Sequence, residues 1–68
     1  MIDLWQYEYC GKVKIVDVDG KTFIGTAQEI TDEEERSEEE RQEIGITIEI
    51  DGALIEFYQS DIKSIEKV

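Results

Sequence analysis

Between positions 44 and 50 isoleucine occupies every even place, and Gly45, Thr47 and Glu49 fill the odd ones. Strict period-two alternation of a β-branched residue makes a strand with one buried face. A helix would scatter the same four isoleucines around its circumference. The run ends at Asp51-Gly52, the dipeptide suited to a two-residue type I′ turn because both central positions need φ > 0. Ala53 to Gln59 must then return antiparallel.

A second hairpin is expected upstream. Lys12-Val13-Lys14-Ile15 alternates with Val13 and Ile15 inward, and Asp17-Val18-Asp19-Gly20 has Asp at the first turn position and Gly at the fourth. The chain returns as Lys21 to Thr31, anchored by Phe23 and Ile30. Those two lie seven apart, so both face one side only if a bulge intervenes, and Gly25, Thr26 and Ala27 are where a long strand bends most readily. A small barrel needs such a bend to curl upon itself.

The ends are less regular. Ile62, Ile65 and Val68 recur every three residues, which fits a short strand or a helical turn; a strand entered through a tight turn at Ser60-Asp61 is the favoured reading. At the front, Asp3 is placed to cap a short helix, with Gln6 as capping-box partner and Gly11 beyond its end. Gln6-Tyr7-Glu8-Tyr9 also alternates as a strand would. The helix is preferred.

Length bounds what these elements can achieve. Sixty-eight residues make one domain, 1–68, and a chain this short buries only about 60% of its unfolded surface, so its core is thin. One cysteine, Cys10, and no histidine leave neither a disulfide framework nor the usual general base. A lone cysteine, a front segment without a basic stretch or apolar run, and no apolar stretch near the roughly 20 residues of a membrane span all point to a soluble cytoplasmic protein without membrane association.

The charge is lopsided: 18 acids against 7 basic residues give −11. Residues 32–43 read DEEERSEEERQE, eight acids and two arginines, net −6, so the remainder is −5. Thr31-Asp32-Glu33-Glu34 has capping-box spacing, and Arg36 and Arg41 stand where intrahelical pairs with Asp32 and Glu38 are possible. No residue from 32 to 43 is apolar, however, so a helix here would have nothing with which to dock. The expectation is a solvated loop. Contact with a basic partner protein through Glu34, Glu35, Glu38 and Glu39 is the sharper alternative, and weak divalent-cation binding a remote one. An EF-hand is not supported, because the run lacks the glycine required at its sixth position.

No catalytic or metal-ligating constellation emerges, and neither an enzymatic role nor a cofactor is expected. Cys10 has no histidine to activate it and reads as a small apolar filler. Trp5, Tyr7, Tyr9 and Tyr58 could stack on single-stranded bases, but such residues more often cover the open end of a small barrel with their polar edges in water.

Two segments carry a family resemblance. Lys12 to Ile15 followed by Asp19-Gly20-Lys21-Thr22-Phe23-Ile24-Gly25 resembles the first half of the Sm motif, and Phe57-Tyr58-Gln59-Ser60-Asp61-Ile62-Lys63-Ser64-Ile65 sits where the second half belongs. The Tyr-x-x-x-Ile spacing looks like the bacterial host-factor RNA chaperone. Closer still, the run DVDGKTFIG … LIEFYQSDIKSIEKV is similar to small Sm-like proteins of Gram-positive bacteria. The resemblance implies a strongly bent five-stranded antiparallel barrel with a short N-terminal helix, assembly into rings through edge strands, and RNA bound around the pore. By the same resemblance Thr31, Tyr58, Gln59 and Ser60 are the ligand-facing positions.

The departures are specific. Thr31 and the acidic run replace the family's Asp and Asn, and Gln59 and Ser60 replace its Lys and His. Backbone phosphates call for clustered Lys or Arg, and here the only such residues outside the acidic run are Lys12, Lys14, Lys21, Lys63 and Lys67. The leading expectation is a non-catalytic Sm-like protein acting through protein–protein contacts, as a homo-oligomer or with another protein. RNA binding through a ring is the alternative and predicts a patch of Lys12, Lys14 and Lys63. An acidic mimic of nucleic acid is the weaker one.

Overall fold

The computed structural model of the chain describes residues 2–35 and 42–68. Five strands, β1 (Gly11–Asp17), β2 (Thr22–Thr31), β3 (Gly45–Ile50), β4 (Ala53–Tyr58) and β5 (Ile62–Lys67), form one antiparallel sheet in the order β4-β3-β2-β1-β5. Three short 3-10 turns complete the described chain: a front turn (Leu4–Tyr7), an acidic turn (Glu33–Glu35) and a crossing turn (Gln59–Asp61) between β4 and β5. The sheet is mainly β and small, as expected.

The two hairpins follow the turn chemistry of the sequence. Asp51 and Gly52 adopt φ of 50° and 85°, and the pairing closes from Ile50 opposite Ala53 through Gly45 opposite Tyr58 without a shift. In the first hairpin the Gly20 N–H donates to the Asp17 carbonyl at 3.0 Å. The Asp17 carboxylate accepts from the N–H groups of Asp19 and Lys21 at 2.9 and 2.8 Å, an Asx arrangement that fixes the turn from one side chain.

Alternation delivers the core. Val13 and Ile15 from β1, Ala27 and Ile30 from β2, Ile46 and Ile48 from β3, Phe57 from β4, Ile62 and Ile65 from β5, and Leu4 from the front turn are buried together. Ile44, Ile50, Phe23, Tyr7 and Cys10 pack at the margin. Ile62 and Ile65 can both face inward although three apart, because β5 shifts register against β1 between Val16 and Asp17. That shift settles the ambiguous three-residue spacing in favour of a strand.

The bend in β2 is direct. Its register against β3 jumps between Ala27 and Ile30, so the bulge lies at Gln28-Glu29, beyond the Gly25–Ala27 stretch where the sequence placed it. Gly25 has a different task. A Cβ there would stand 2.7 Å from side-chain carbons of Ile48 and Ile50 and closer still to the Glu49 carbonyl oxygen, so only glycine lets β3 cross over β2 at this point. The result shows in two rings: Phe23 and Phe57 meet edge to face with centroids 5.0 Å apart. On a flat sheet Phe23 would lie seven residues along β2 from Ile30, about 23 Å at strand rise. The sheet has curled by most of that distance.

The front segment is a single 3-10 turn and not an α-helix. Asp3 does cap it, but through a bond from the Trp5 N–H at 3.2 Å; the Gln6 N–H donates to the Asp3 backbone carbonyl instead of completing a capping box. The turn stops early because Tyr9 swings to φ 51° and donates its N–H to the Gln28 carbonyl at 3.1 Å. Glu8 then accepts from the Ile30 N–H at 3.1 Å. The segment thus pairs with the groups that the bulge removes from the β2–β3 ladder.

The ladders also fix which groups face outward at the two edges. In antiparallel pairing, residues that exchange hydrogen bonds alternate with residues that do not. The Val68 N–H donates to Lys12 at 3.1 Å, so Glu66 and Ser64 turn toward β1, and Lys67 and Ile65 turn away. The Gln59 N–H donates to Ile44 at 2.9 Å, so Phe57, Ile55 and Ala53 turn toward β3, and Leu54, Glu56 and Tyr58 turn away.

Replacing Gly25 with alanine tests the crossing: the strand must give way by more than a side chain can, and stability should fall by about 1–3 kcal/mol or more, read from the urea midpoint at unchanged m-value.

Candidate functional site

The four positions singled out by resemblance come together at one end of the sheet. Thr31 on β2 lies opposite Gly45 on β3, and Gly45 opposite Tyr58 on β4. One step back, Ile30, Ile46 and Phe57 fill the core, so Thr31 and Tyr58 flank glycine on the outer face. Gln59 and Ser60 follow in the crossing turn.

That turn is held from several sides. The Gln59 N–H donates to the Ile44 carbonyl at 2.9 Å, and its side-chain amide donates to the Ile2 carbonyl. Ser60 gives both its N–H, at 2.9 Å, and its hydroxyl, at 2.8 Å, to one carboxylate oxygen of Glu43. At the far side the Val18 N–H donates to the Asp61 carbonyl at 3.0 Å. An open groove of about 680 Å³ lies against the turn, lined by Ile2, Glu43, Gln59, Ser60, Ile62 and Lys63. Gln59 and Ser60 therefore reach it, whereas Thr31 and Tyr58 are not among its lining residues.

Ile2, Glu43 and Lys63 are groove residues that the sequence reading did not assign to this site. Lys63 was visible only as one member of a three-lysine patch, which does not assemble. Lys12 lies opposite Thr26 at the β1 end that meets Val68, and Lys63 falls at the other end of the β1–β5 pair, by the register shift. Lys14 is midway and faces Glu66, Nζ to carboxylate 3.9 Å. Both partners are exposed, so this pair is worth little.

The aromatic residues divide. Tyr7 is half-buried, donates its hydroxyl to the Ile65 carbonyl at 3.3 Å, and has the Lys67 ammonium 5.9 Å from its ring centroid. Trp5 and Tyr9 are exposed. In the acidic run, Glu33–Glu35 form one 3-10 turn in which Asp32, and not Thr31, accepts from the Glu34 N–H at 3.4 Å. Glu34 is exposed; Glu38, Glu39, Arg36, Arg41 and the side chain of Glu35 lie outside the described residues. Among the described residues no three His, Cys, Asp or Glu side chains converge as a metal site would need, and no helix is long and apolar enough to cross a membrane.

No protein-family model, curated protein or solved structure matches the chain.

The Glu43–Ser60 link has a measurable weight. Ser60→Ala removes the hydroxyl donor and should cost about 0.5–1 kcal/mol, and Glu43→Ala, which strips the acceptor of both bonds, should cost more, about 1–2 kcal/mol; chemical denaturation of the two variants gives the order.

Proposed function

We propose that this chain is a non-catalytic, Sm-like interaction protein of the bacterial cytoplasm that works through protein–protein contacts, including contacts between its own copies. The observation that carries this reading is the pair of sheet edges. β4 and β5 are the two ends of the strand order and are not neighbours in the sheet, so the sheet ends in two edge strands. Leu54 and Ile55 on β4 are 69% and 38% exposed, an apolar pair on an edge strand of a thin-cored protein. Exposed edges are where one chain adds to another, and small domains gain stability by doing so. The acidic run supplies solubility and a preference for basic partners.

Charge sets the conditions. Each copy contributes −11, so self-association works against like-charge repulsion that extends about 30 Å at 0.01 M ionic strength and about 10 Å at 0.1 M. Native mass by light scattering after size exclusion should therefore rise from low to moderate salt. A monomer at both would remove self-association from this reading.

One observation favours RNA binding as the second reading: Lys63 lines the groove together with Gln59 and Ser60. Against it stand the scattered lysines and the Lys14–Glu66 pair. Fluorescence anisotropy with short oligo-U and oligo-A at near-physiological salt should show no saturable binding; saturation there would favour RNA over protein contact.

A further inference from the structure

We infer that Asp51-Gly52 is a site of spontaneous covalent modification, at which the peptide link to Gly52 passes from the α- to the β-carboxyl of Asp51 through a succinimide, and that Glu49 is the base for that step. The chain carries Asp-Gly twice, at 19–20 and at 51–52, each time after a β-branched residue. In both places the aspartate and the glycine are exposed. Both glycines have positive φ and open space where a Cβ would stand, and a residue without a Cβ leaves its own nitrogen least hindered. Local sequence makes the two sites near equals. The fold separates them.

At 19–20 the turn is clamped. The Gly20 N–H donates to the Asp17 carbonyl at 3.0 Å, and the Asp17 carboxylate accepts from the Asp19 and Lys21 N–H groups on either side at 2.9 and 2.8 Å. For the Gly20 nitrogen to reach Asp19 Cγ the peptide between them must swing, which breaks the first bond and strains the other two. At 51–52 the nitrogen lies outside the ladder, because pairing resumes at Ala53 opposite Ile50. The Gly52 N–H donates to a side chain instead, the Glu49 carboxylate, at 3.0 Å. A side chain can follow the nitrogen as it moves, whereas a turn carbonyl cannot. Asp51 is also held at φ 50°, a left-handed conformation unfavourable for any residue with a Cβ, so this turn gives up less when it reorganises.

The step balances within the chain. With the Asp51 carboxyl protonated, the Gly52 nitrogen attacks Cγ, forms the N–Cγ bond and passes its proton to the Glu49 carboxylate, which stands within the reach of a general base. The C–OH bond of the tetrahedral carbon then breaks, and the hydroxyl leaves as water on taking that proton back from Glu49. Water opens the ring at either carbonyl, restoring aspartate or giving isoaspartate, with no net change in mass. In isoaspartate the main chain runs through Cγ and is one methylene longer. Loop length sets the register of a hairpin, so the unbroken pairing of β3 with β4 is what the modification loosens.

Incubation of the whole protein in mildly acidic buffer, followed by peptide mapping with electron-transfer fragmentation, reads isoaspartate at each site separately. A parallel incubation in concentrated urea gives the rates that local sequence alone sets. In the folded protein isoaspartate should accumulate several-fold faster at 51 than at 19, and in urea the two rates should converge. Glu49→Gln keeps the size and an acceptor oxygen but is a far weaker base. It should slow the reaction at 51 by roughly tenfold or more, with site 19 as internal standard and far-UV circular dichroism confirming the fold. Equal rates in the folded protein, a faster rate at 19, or no isoaspartate at 51 would overturn the site. The same preference for 51 in urea would overturn the part assigned to the fold. An unchanged or faster reaction in Glu49→Gln would overturn the part assigned to Glu49.

Discussion

The edge-to-face contact of Phe23 with Phe57 is the interaction on which the rest of this structure depends. It joins the start of β2 to the end of β4, two strands that share only β3 as a neighbour. Such a contact adds about 0.5–1.5 kcal/mol beyond area burial, but its main consequence is topological. Once these rings meet, the sheet has an inside. Val13, Ile15, Ile46 and Ile48 are then enclosed by other strands and not merely covered on one side. The contact is reachable only because Gly25 lets β3 cross close over β2 and because a bulge further along turns the strand again.

Both bends lie in β2, and only one of them is self-sufficient. At Gly25 the missing side chain is enough. At Gln28-Glu29 the ladder to β3 is interrupted, and the front segment supplies the missing partners through the Tyr9 N–H and the Glu8 carboxylate. Leu4 sits at the bottom of the same segment, fully buried. The segment ahead of the first strand therefore acts as part of the barrel wall, and its Tyr7 hydroxyl reaches the Ile65 carbonyl of β5. The Ile65 carbonyl of β5 and the bulge in β2 are thus both met by one short piece of chain.

This division explains what was legible beforehand. Both hairpins were, because alternation and turn chemistry act between near neighbours: Ile46 and Ile48 point inward for reasons contained in seven residues, and Asp51-Gly52 can do little else. The bulge lies just beyond the Gly25–Ala27 stretch where it was expected, since its position is set by where Tyr9 and Glu8 dock, and nothing local to β2 encodes that. The front helix shrank to a 3-10 turn for the same reason. At the candidate site, Gln59 and Ser60 were found through their resemblance to a motif. Glu43 was not, because it is one acid in a run of eight, and composition cannot say which of them meets Ser60. The three-lysine patch failed on register: residues that look close along β1 and β5 are separated once the strands run in opposite directions.

The crossing turn has a consequence for how the chain reaches this state. β4 and β5 are adjacent in sequence yet lie at opposite edges, so three residues carry the chain from one side of the sheet to the other. Four of the strands are joined as successive neighbours, whereas β5 must find β1, pairing Lys67 with Val13 across 54 positions. Loop-closure entropy makes such a pairing a slow step in folding. Until it occurs, β1 is itself an edge strand, and the groups that face β5 in the finished sheet are open to any other chain. Lys12 and Lys14 stand along that strand, and charged side chains on an edge disfavour pairing with a wrong strand.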